Sequence, residues 1–237
     1  MELSKRLQRV VEMMPAMDTI CDIGCDHGYV SIAFLQKNIA KRMIAMDVNV
    51  GPLEQAKHNA QVYGMTQKMD FRLSDGLKQV VPGEADAFLC AGMGGRLIVR
   101  IMTEGKEVMS KMKGAVLQPQ SELALVRRYI YENGWHIVKE DMVFEEDVTA
   151  PAQGIYYPMM YIEPGQSKMP TERELAFGPL LIAQKHPVLK QYLLFSIGLK
   201  QKLADQLCEG NEGQQARARE LADEISVMKE IVKEYER

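Results

Sequence analysis

Cysteine is scarce in this sequence, and what there is has no metal-binding arrangement. The four residues Cys21, Cys25, Cys90 and Cys208 include no C-x-x-C pair, and no histidine cluster accompanies them. That spacing argues against a structural zinc site, so no metal is expected. Long apolar runs are absent as well, so no segment has the length of a membrane span. The opening residues Met1-Glu2-Leu3-Ser4-Lys5-Arg6-Leu7 carry charge from the start and lack the apolar core of a secretory signal. Free thiols without that signal fit a reducing compartment, and a cytoplasmic protein is expected. There is no basic excess: the formal net charge is −3. A surface that attracts polyanions everywhere is thereby excluded, while a local basic patch is not. One glycine is also missing from the place where a dinucleotide-binding turn needs it.

That turn is the most informative segment. Thr19-Ile20-Cys21-Asp22-Ile23 has the pattern of a buried strand, and Gly24-Cys25-Asp26-His27-Gly28-Tyr29 the pattern of a tight turn opening a helix. Such a unit forms the ligand-binding end of a doubly wound α/β sheet, beyond the carboxyl ends of the strands. A dinucleotide fingerprint G-x-G-x-x-G sets a second glycine against the pyrophosphate. Here Asp26 stands near that place, and its carboxylate repels a diphosphate but attracts an ammonium group. The pattern D-x-G-x-D-x-G resembles the first motif of the Rossmann-type S-adenosylmethionine-dependent methyltransferases, with Asp26 in place of their middle glycine.

Further acids follow at strand ends. Arg42-Met43-Ile44-Ala45-Met46-Asp47 is a second apolar strand closed by a carboxylate. Asp47 follows Gly24 at close to the roughly 20-residue offset at which an acid meets ribose hydroxyls. Met69 to Leu73 is a third strand, ending in Ser74-Asp75-Gly76. Each acid alone is usually a turn or cap residue; four in one register point to a cofactor. The expected cofactor contacts are Asp22, Gly24, Cys25, Asp26, His27 and Gly28 at the first turn, Asp47 and Val48 after the second strand, Asp75 and Gly76 after the third, and Ala91 and Gly92 after the fourth.

The fourth strand is expected over 85–90, with Ala91-Gly92-Met93-Gly94-Gly95 as the loop that faces the reacting methyl group. Enzymes that methylate exocyclic amines place side-chain acceptors in that loop. This one has none, which suits a nucleophile that needs little activation, such as a ring nitrogen with an in-plane lone pair. Adenine N1 is one, and its methylation gives a cation that carboxylates stabilise. The candidate catalytic positions are Asp26, Gly92, Met93 and Gly94. A covalent route through Cys90 is a lesser alternative, because a buried strand cysteine is the commoner case.

Strands and helices alternate through a fifth strand at 115–118 and a helix over 122–133. Two last strands, 135–144 and 156–162, then follow with no helix between them. Alternation predicts a mostly parallel sheet, and the helix-free connection an antiparallel last strand. The composition shifts at Pro164-Gly165-Gln166-Ser167. The expected domains are a cofactor-binding catalytic domain over 1–165 and a helical hairpin over 166–237. Leu221, Ile225, Met228, Val232 and Tyr235 form one coiled-coil seam of that hairpin. Tyr192, Ser196, Leu199 and Leu203 form the other, and 208–213 the turn between them. Candidate RNA contacts are Arg6, Arg9, Arg96, Arg100, Arg127 and Arg128, with Tyr156 to stack a base.

Asp22-Ile-Gly-Cys-Asp-His-Gly28, Asp47, Ser74-Asp75-Gly76, Ala91-Gly-Met-Gly-Gly95 and Leu117-Gln-Pro-Gln120 together resemble the bacterial tRNA adenine-22-N1 methyltransferases over nearly the whole chain, hairpin included. The resemblance implies S-adenosylmethionine as cofactor and tRNA as substrate, with the adenine flipped into the site. The expected state is a monomer, with the hairpin as the surface a dimer would use. Two other readings stay open on the residues alone: a small-molecule methyltransferase that dimerises through the hairpin, and a non-catalytic RNA-binding protein.

Overall fold

The computed structural model describes residues 3–146 and 154–236. They divide into two compact units, Met1–Pro170 and Thr171–Arg237.

The first unit is built on one seven-stranded sheet. Its strands are β1 (Met17–Ile23), β2 (Ala40–Asp47), β3 (Met69–Leu73), β4 (Ala87–Met93), β5 (Gly114–Pro119), β6 (Trp135–Glu146) and β7 (Gly154–Pro164). Their order is β3-β2-β1-β4-β5-β7-β6. The pairs among β1 to β5 are parallel, and β7 runs antiparallel between β5 and β6. The antiparallel strand forecast from the helix-free connection is thus β7; the connecting segment 147–153 lies outside the described residues. The order reverses between β1 and β4, the switch point at which such sheets open a crevice. The central strands are buried on both faces, which is why β1, β4 and β5 read as apolar runs rather than alternations.

The helices are α1 (Lys5–Met13), α2 (Tyr29–Gln36), α3 (Val50–Val62), α4 (Gly95–Glu104), α5 (Lys106–Met109) and α6 (Leu123–Glu132). Ser4 caps α1, its hydroxyl accepting from Leu7 N. Val10, Val11 and Met13, with Met14 just past the helix end, are buried in the main core beside Ile20, Ile32 and Phe34. Neither the single turn of α5 nor the 3-10 turn at Thr66–Lys68 is legible in the sequence, since neither is long enough to show a period. β4 also runs further than expected. Ala91, Gly92 and Met93 are its bulged last residues, with a register shift against β5 between Ala91 and Met93. Only Gly94 and Gly95 lie beyond it, at the start of α4.

The second unit contains α7 (Glu172–Phe177), α8 (Pro179–Ala183), α9 (Pro187–Leu207) and α10 (Glu212–Glu234). Capping boxes start α7 (Thr171 with Glu174) and α10 (Asn211 with Gln214). The expected hairpin is α9 with α10. Its seam corrects the sequence pattern on both helices. On α9 the buried residues are Leu189, Leu193, Ser196 and Ala204, while Leu199 and Leu203 are exposed. On α10 they are Ala218, Leu221, Ile225, Met228 and Ile231, with Val232 and Tyr235 half-buried. α9 carries apolar residues on both faces, so periodicity alone could not choose the packed one.

Candidate active site

The turn after β1 is shaped by backbone conformation. Gly24 (φ +71°), Asp26 (φ +49°) and Gly28 (φ +72°) all lie in the left-handed region. The amides of Gly24 and Cys25 both donate to Met46 O, at 2.8 and 2.9 Å, which ties the turn to the end of β2. A Cβ on Gly24 would sit 2.5 Å from the Met93 methyl, and one on Gly28 would sit 2.9 Å from Ala56 Cβ. Gly24 therefore lets Met93 approach the turn, and Gly28 lets α2 start close against α3. Asn59 of α3 holds the turn from outside, its amide donating to His27 O at 2.8 Å.

A cavity of about 380 Å³ opens where β1 and β4 end. Asp22, Gly24, Cys25, Asp26, His27, Ala91, Gly92 and Met93 line it, and Arg6 and Gln120 close its sides. Asp22 is buried and accepts from Ser31, whose Oγ lies at 2.6 Å. Burial raises its pKa to about 6 against the lowering effect of Ser31, with the nearby Asp47 and Asp26 charges adding to the rise. Asp26 is exposed at the mouth, with His27 Nε2 at 3.6 Å. Burial also drives the thiols upward: Cys21 to about 12, with Cys25 and Cys90 raised too. A thiol so far from ionising is a poor nucleophile, which removes the ground for a covalent route through Cys90.

Other expected contacts fall outside the cavity wall. Asp47 is nearly buried at the end of β2, and its Oδ1 accepts from Asn49 N at 2.9 Å. Val48 follows it in solvent. Asp75, expected as a cofactor contact, is held by two cations. Arg100 donates to both of its oxygens, at 2.8 and 2.9 Å, and Lys78 reaches Oδ2 at 2.7 Å. These cations hold it well below the usual carboxylate range. Gly76 (φ +64°) turns the chain beneath Ile101. Gly94 is the N-cap of α4 with ordinary extended φ, and a Cβ there meets only Ser121 Oγ, at 3.4 Å. Space is tighter at Gly95, whose Cβ would lie 2.4 Å from Ser121 O.

The arginines part company. Arg127 corrects the RNA-contact expectation: it is buried, and its Nε donates to the buried Glu140 at 2.8 Å. A guanidinium held by a core carboxylate cannot reach a phosphate. Its neighbour Arg128 is half-buried. Arg9 pairs with Asp141 and Glu12, Arg96 with Glu122 at 3.2 Å, and Arg100 with Asp75. Arg6 is the arginine at the cavity. Its guanidinium lies 5.1 Å from the centre of the Tyr157 ring and donates to Gln118 Oε1 at 2.9 Å. Tyr156 packs against Phe144 with ring centres 4.7 Å apart.

Gln118 is the site residue that sequence reasoning missed. It is fully buried at the end of β5, and its Oε1 also accepts from Gly92 N at 3.0 Å. One oxygen thus fixes the left-handed Gly92 (φ +75°) and Arg6 together. Its signal was the Leu117-Gln-Pro-Gln120 segment, which carries part of the resemblance but does not show which glutamine is buried.

A sheet reversing at β1/β4, an antiparallel β7 inserted beside β5, and acids at the ends of β1 and β2 around a cavity define the Rossmann-type methyltransferase architecture. A family model described as a methyltransferase domain matches residues 3–149, and the chain belongs to that family. It is 29% identical to a tRNA (adenine(22)-N(1))-methyltransferase of Bacillus subtilis, over 98% of both chains. The crystal structure of the B. subtilis m1A22 tRNA methyltransferase TrmK superimposes with a TM-score of 0.82, at 28% identity over 98% of this chain and 99% of that one. A Streptococcus pneumoniae protein in complex with S-adenosyl-L-methionine superimposes at 0.81, with 30% identity over 98% and 100%. No helix among the described residues is long and apolar enough to cross a membrane.

Proposed function

We propose that this protein moves a methyl group from S-adenosylmethionine to N1 of adenine 22 in tRNA, giving 1-methyladenosine. The observation that carries the reading is similarity along the full length, hairpin included, to a curated enzyme of that activity. The β4 segment supports it independently: Ala91 to Gly95 offers backbone and a thioether but no side-chain acceptor for an exocyclic amine.

The cavity fits the cofactor. Glycines with left-handed backbone clear its floor, and the carboxylates of Asp22 and Asp26 suit its ammonium group. Asp47 is assigned to the ribose hydroxyls, with Val48 beside it. Asp75 and Gly76 are assigned to the adenine end, where Asp75 would act while still paired to Arg100. When bound, the cofactor supplies an electrophilic methyl group on a sulfonium. The protein's own part is positional. Gln118 fixes Gly92, Met93 covers Gly24, and the walls hold a flat base so that its N1 lone pair points at the methyl. No proton need leave N1, so no general base is required, and the carboxylate of Asp26 faces the positive charge that the ring acquires. Cofactor binding and chemistry are assigned to residues 1–165, and a tRNA-binding surface to the hairpin, 166–237. A tRNA substrate puts the reaction in the cytoplasm.

Incubation with S-adenosylmethionine and unmodified tRNA, followed by nucleoside mass spectrometry, tests this. The expected product is 1-methyladenosine, lost when adenine 22 is replaced by guanine. If the protein binds the cofactor yet no methylated nucleoside forms, the reading is wrong, and a small-molecule substrate takes its place.

A further inference from the structure

Two glutamines stand at the end of β5, Gln118 inside the strand and Gln120 in the bend just past it, and both come close to Gly92. Their states differ. Gln118 is buried, and its oxygen is taken up by Gly92 and Arg6. Gln120 lines the cavity in solvent, and no side-chain hydrogen bond engages its amide among the described residues. Its backbone is not free: Gln120 N donates to Met93 O at 2.9 Å, which anchors it to the bulged end of β4. The amide borders the space that Gly92 leaves open. A Cβ there would lie 3.6 Å from Gln120 Nε2 and 3.5 Å from Arg6 Nη1. A polar group with one donor side and one acceptor side therefore stands, anchored and unspent, in the cavity wall beside Gly92.

We propose that Gln120 is the residue that selects adenine, by pairing with its Hoogsteen edge; the proposal rests on the adenine-N1 reading above. Adenine offers the N6 amino group as donor and N7 as acceptor, and a glutamine amide matches both at once. That grip leaves N1 open, on the other side of the N6 carbon. Guanine presents acceptors at both O6 and N7, so one half of the amide meets no match. The grip also tightens during reaction. As the N1 lone pair bonds to the methyl carbon, the electrons of the broken carbon–sulfur bond stay on sulfur, and the ring becomes a cation. Part of that charge reaches N6, so its hydrogen bond to Oε1 becomes charge-assisted. An interaction stronger after transfer than before raises kcat as well as affinity.

The test pairs a change in the enzyme with a change in the base. A tRNA carrying 7-deazaadenine at the methylated position keeps N1 and N6 and loses only the N7 acceptor. Wild-type kcat/KM should fall about tenfold to a hundredfold on it. Gln120→Ala should lose as much or more on normal tRNA, and nothing further on the 7-deaza substrate. Gln120→Glu, which sets an oxygen against N7, should not rescue the loss. Cofactor affinity, measured by calorimetry, should change much less than kcat/KM in Gln120→Ala, since the loss is assigned to the base. Wild-type kcat/KM in Gln120→Ala, indifference of the wild type to 7-deazaadenine, or losses that simply multiply would each overturn the assignment. Absence of 1-methyladenosine with wild-type protein and normal tRNA would instead sink the parent reading, and this one with it.

Discussion

In the sheet unit, Asp22, Asp47, Gln118, Arg127 and Glu140 are buried, whereas in the hairpin unit Leu194, Phe195, Leu199 and Leu203 stand about half exposed. Both units carry surface ion pairs, such as Arg96–Glu122 in the sheet unit, but the sheet unit also holds a buried one. Arg127 and Glu140 are sealed in the core, while Arg173–Glu234, Lys200–Glu224 and Arg217–Glu220 lie at the hairpin surface. Burying a polar group costs free energy unless a partner satisfies it. The sheet unit can carry that cost because its central strands are covered on both faces. The hairpin, two helices sharing one seam, has no such depth. A charge is therefore structural in the core of the sheet unit and marginal at the hairpin surface, and the same residue type has to be judged by where it lies.

The largest effect that would sharpen this contrast is expected at Arg127. Replacement by Met leaves Glu140 buried without its guanidinium partner, and breaking a pair of this kind costs about 3–5 kcal/mol. At the hairpin surface, Lys200→Met removes one side of the Lys200–Glu224 pair and should cost no more than about 1 kcal/mol. Urea unfolding of both variants gives the comparison directly. Equal losses would break it.

Glycine gives the next step. Gly24→Val forces a β-branched residue to φ +71° and drives its Cβ into the Met93 methyl. Cofactor affinity should fall by about a hundredfold or more, equivalent to roughly 2.8 kcal/mol. Titration calorimetry measures it, and wild-type affinity would show that the turn does not hold the cofactor.

The turn around Gly24 was legible because left-handed backbone leaves a sequence mark: small residues at fixed offsets after an apolar run. The position of the acids at the strand ends was legible for a similar reason, since the apolar pattern of a buried strand stops where polar residues take over. Arg127 was not. Arg127-Arg128 reads as a surface pair, and only the fold brings Glu140 across to take one of them. The role of Gln118 was hidden because a buried acceptor shared by Gly92 and Arg6 depends on contacts between distant segments. The seam of α9 was misread for a plainer reason: it has leucines at 193 and 194, and either face satisfies a helical period.

A smaller effect, about tenfold per pH unit, is expected from Asp22. Its folded pKa is raised, to about 6 from 3.8. The stabilisation linked to its proton is therefore complete below pH 3.8 and is lost as pH rises through about 6. Cofactor affinity should run the opposite way, because an ammonium group favours the ionised carboxylate. Binding should weaken about tenfold for each pH unit below 6, with proton uptake from solvent suppressed when Asp22 is replaced by Asn. Affinity flat between about pH 5 and 7 would place the ammonium group elsewhere.

The smallest effect lies in the hairpin, and it has the opposite sign from Gly24→Val. Gly198 sits inside α9 on the exposed side, and a Cβ there meets no atom within 4 Å. Its backbone is helical rather than left-handed, so it is absent from the positive-φ glycines among the described residues. Alanine should fit without strain and narrow the unfolded ensemble, stabilising the helix by about 0.5–1 kcal/mol. A rise in the hairpin's unfolding temperature would match a glycine with no structural task. A fall, or a loss of tRNA affinity with stability intact, would mean that the face shared by Gly198, Leu194 and Leu199 is pressed against a close-fitting surface in the working enzyme. The exposed leucines would then belong to an interface, and the apolar face of the hairpin would be matched to a partner just as the buried polar groups of the sheet unit are matched to theirs.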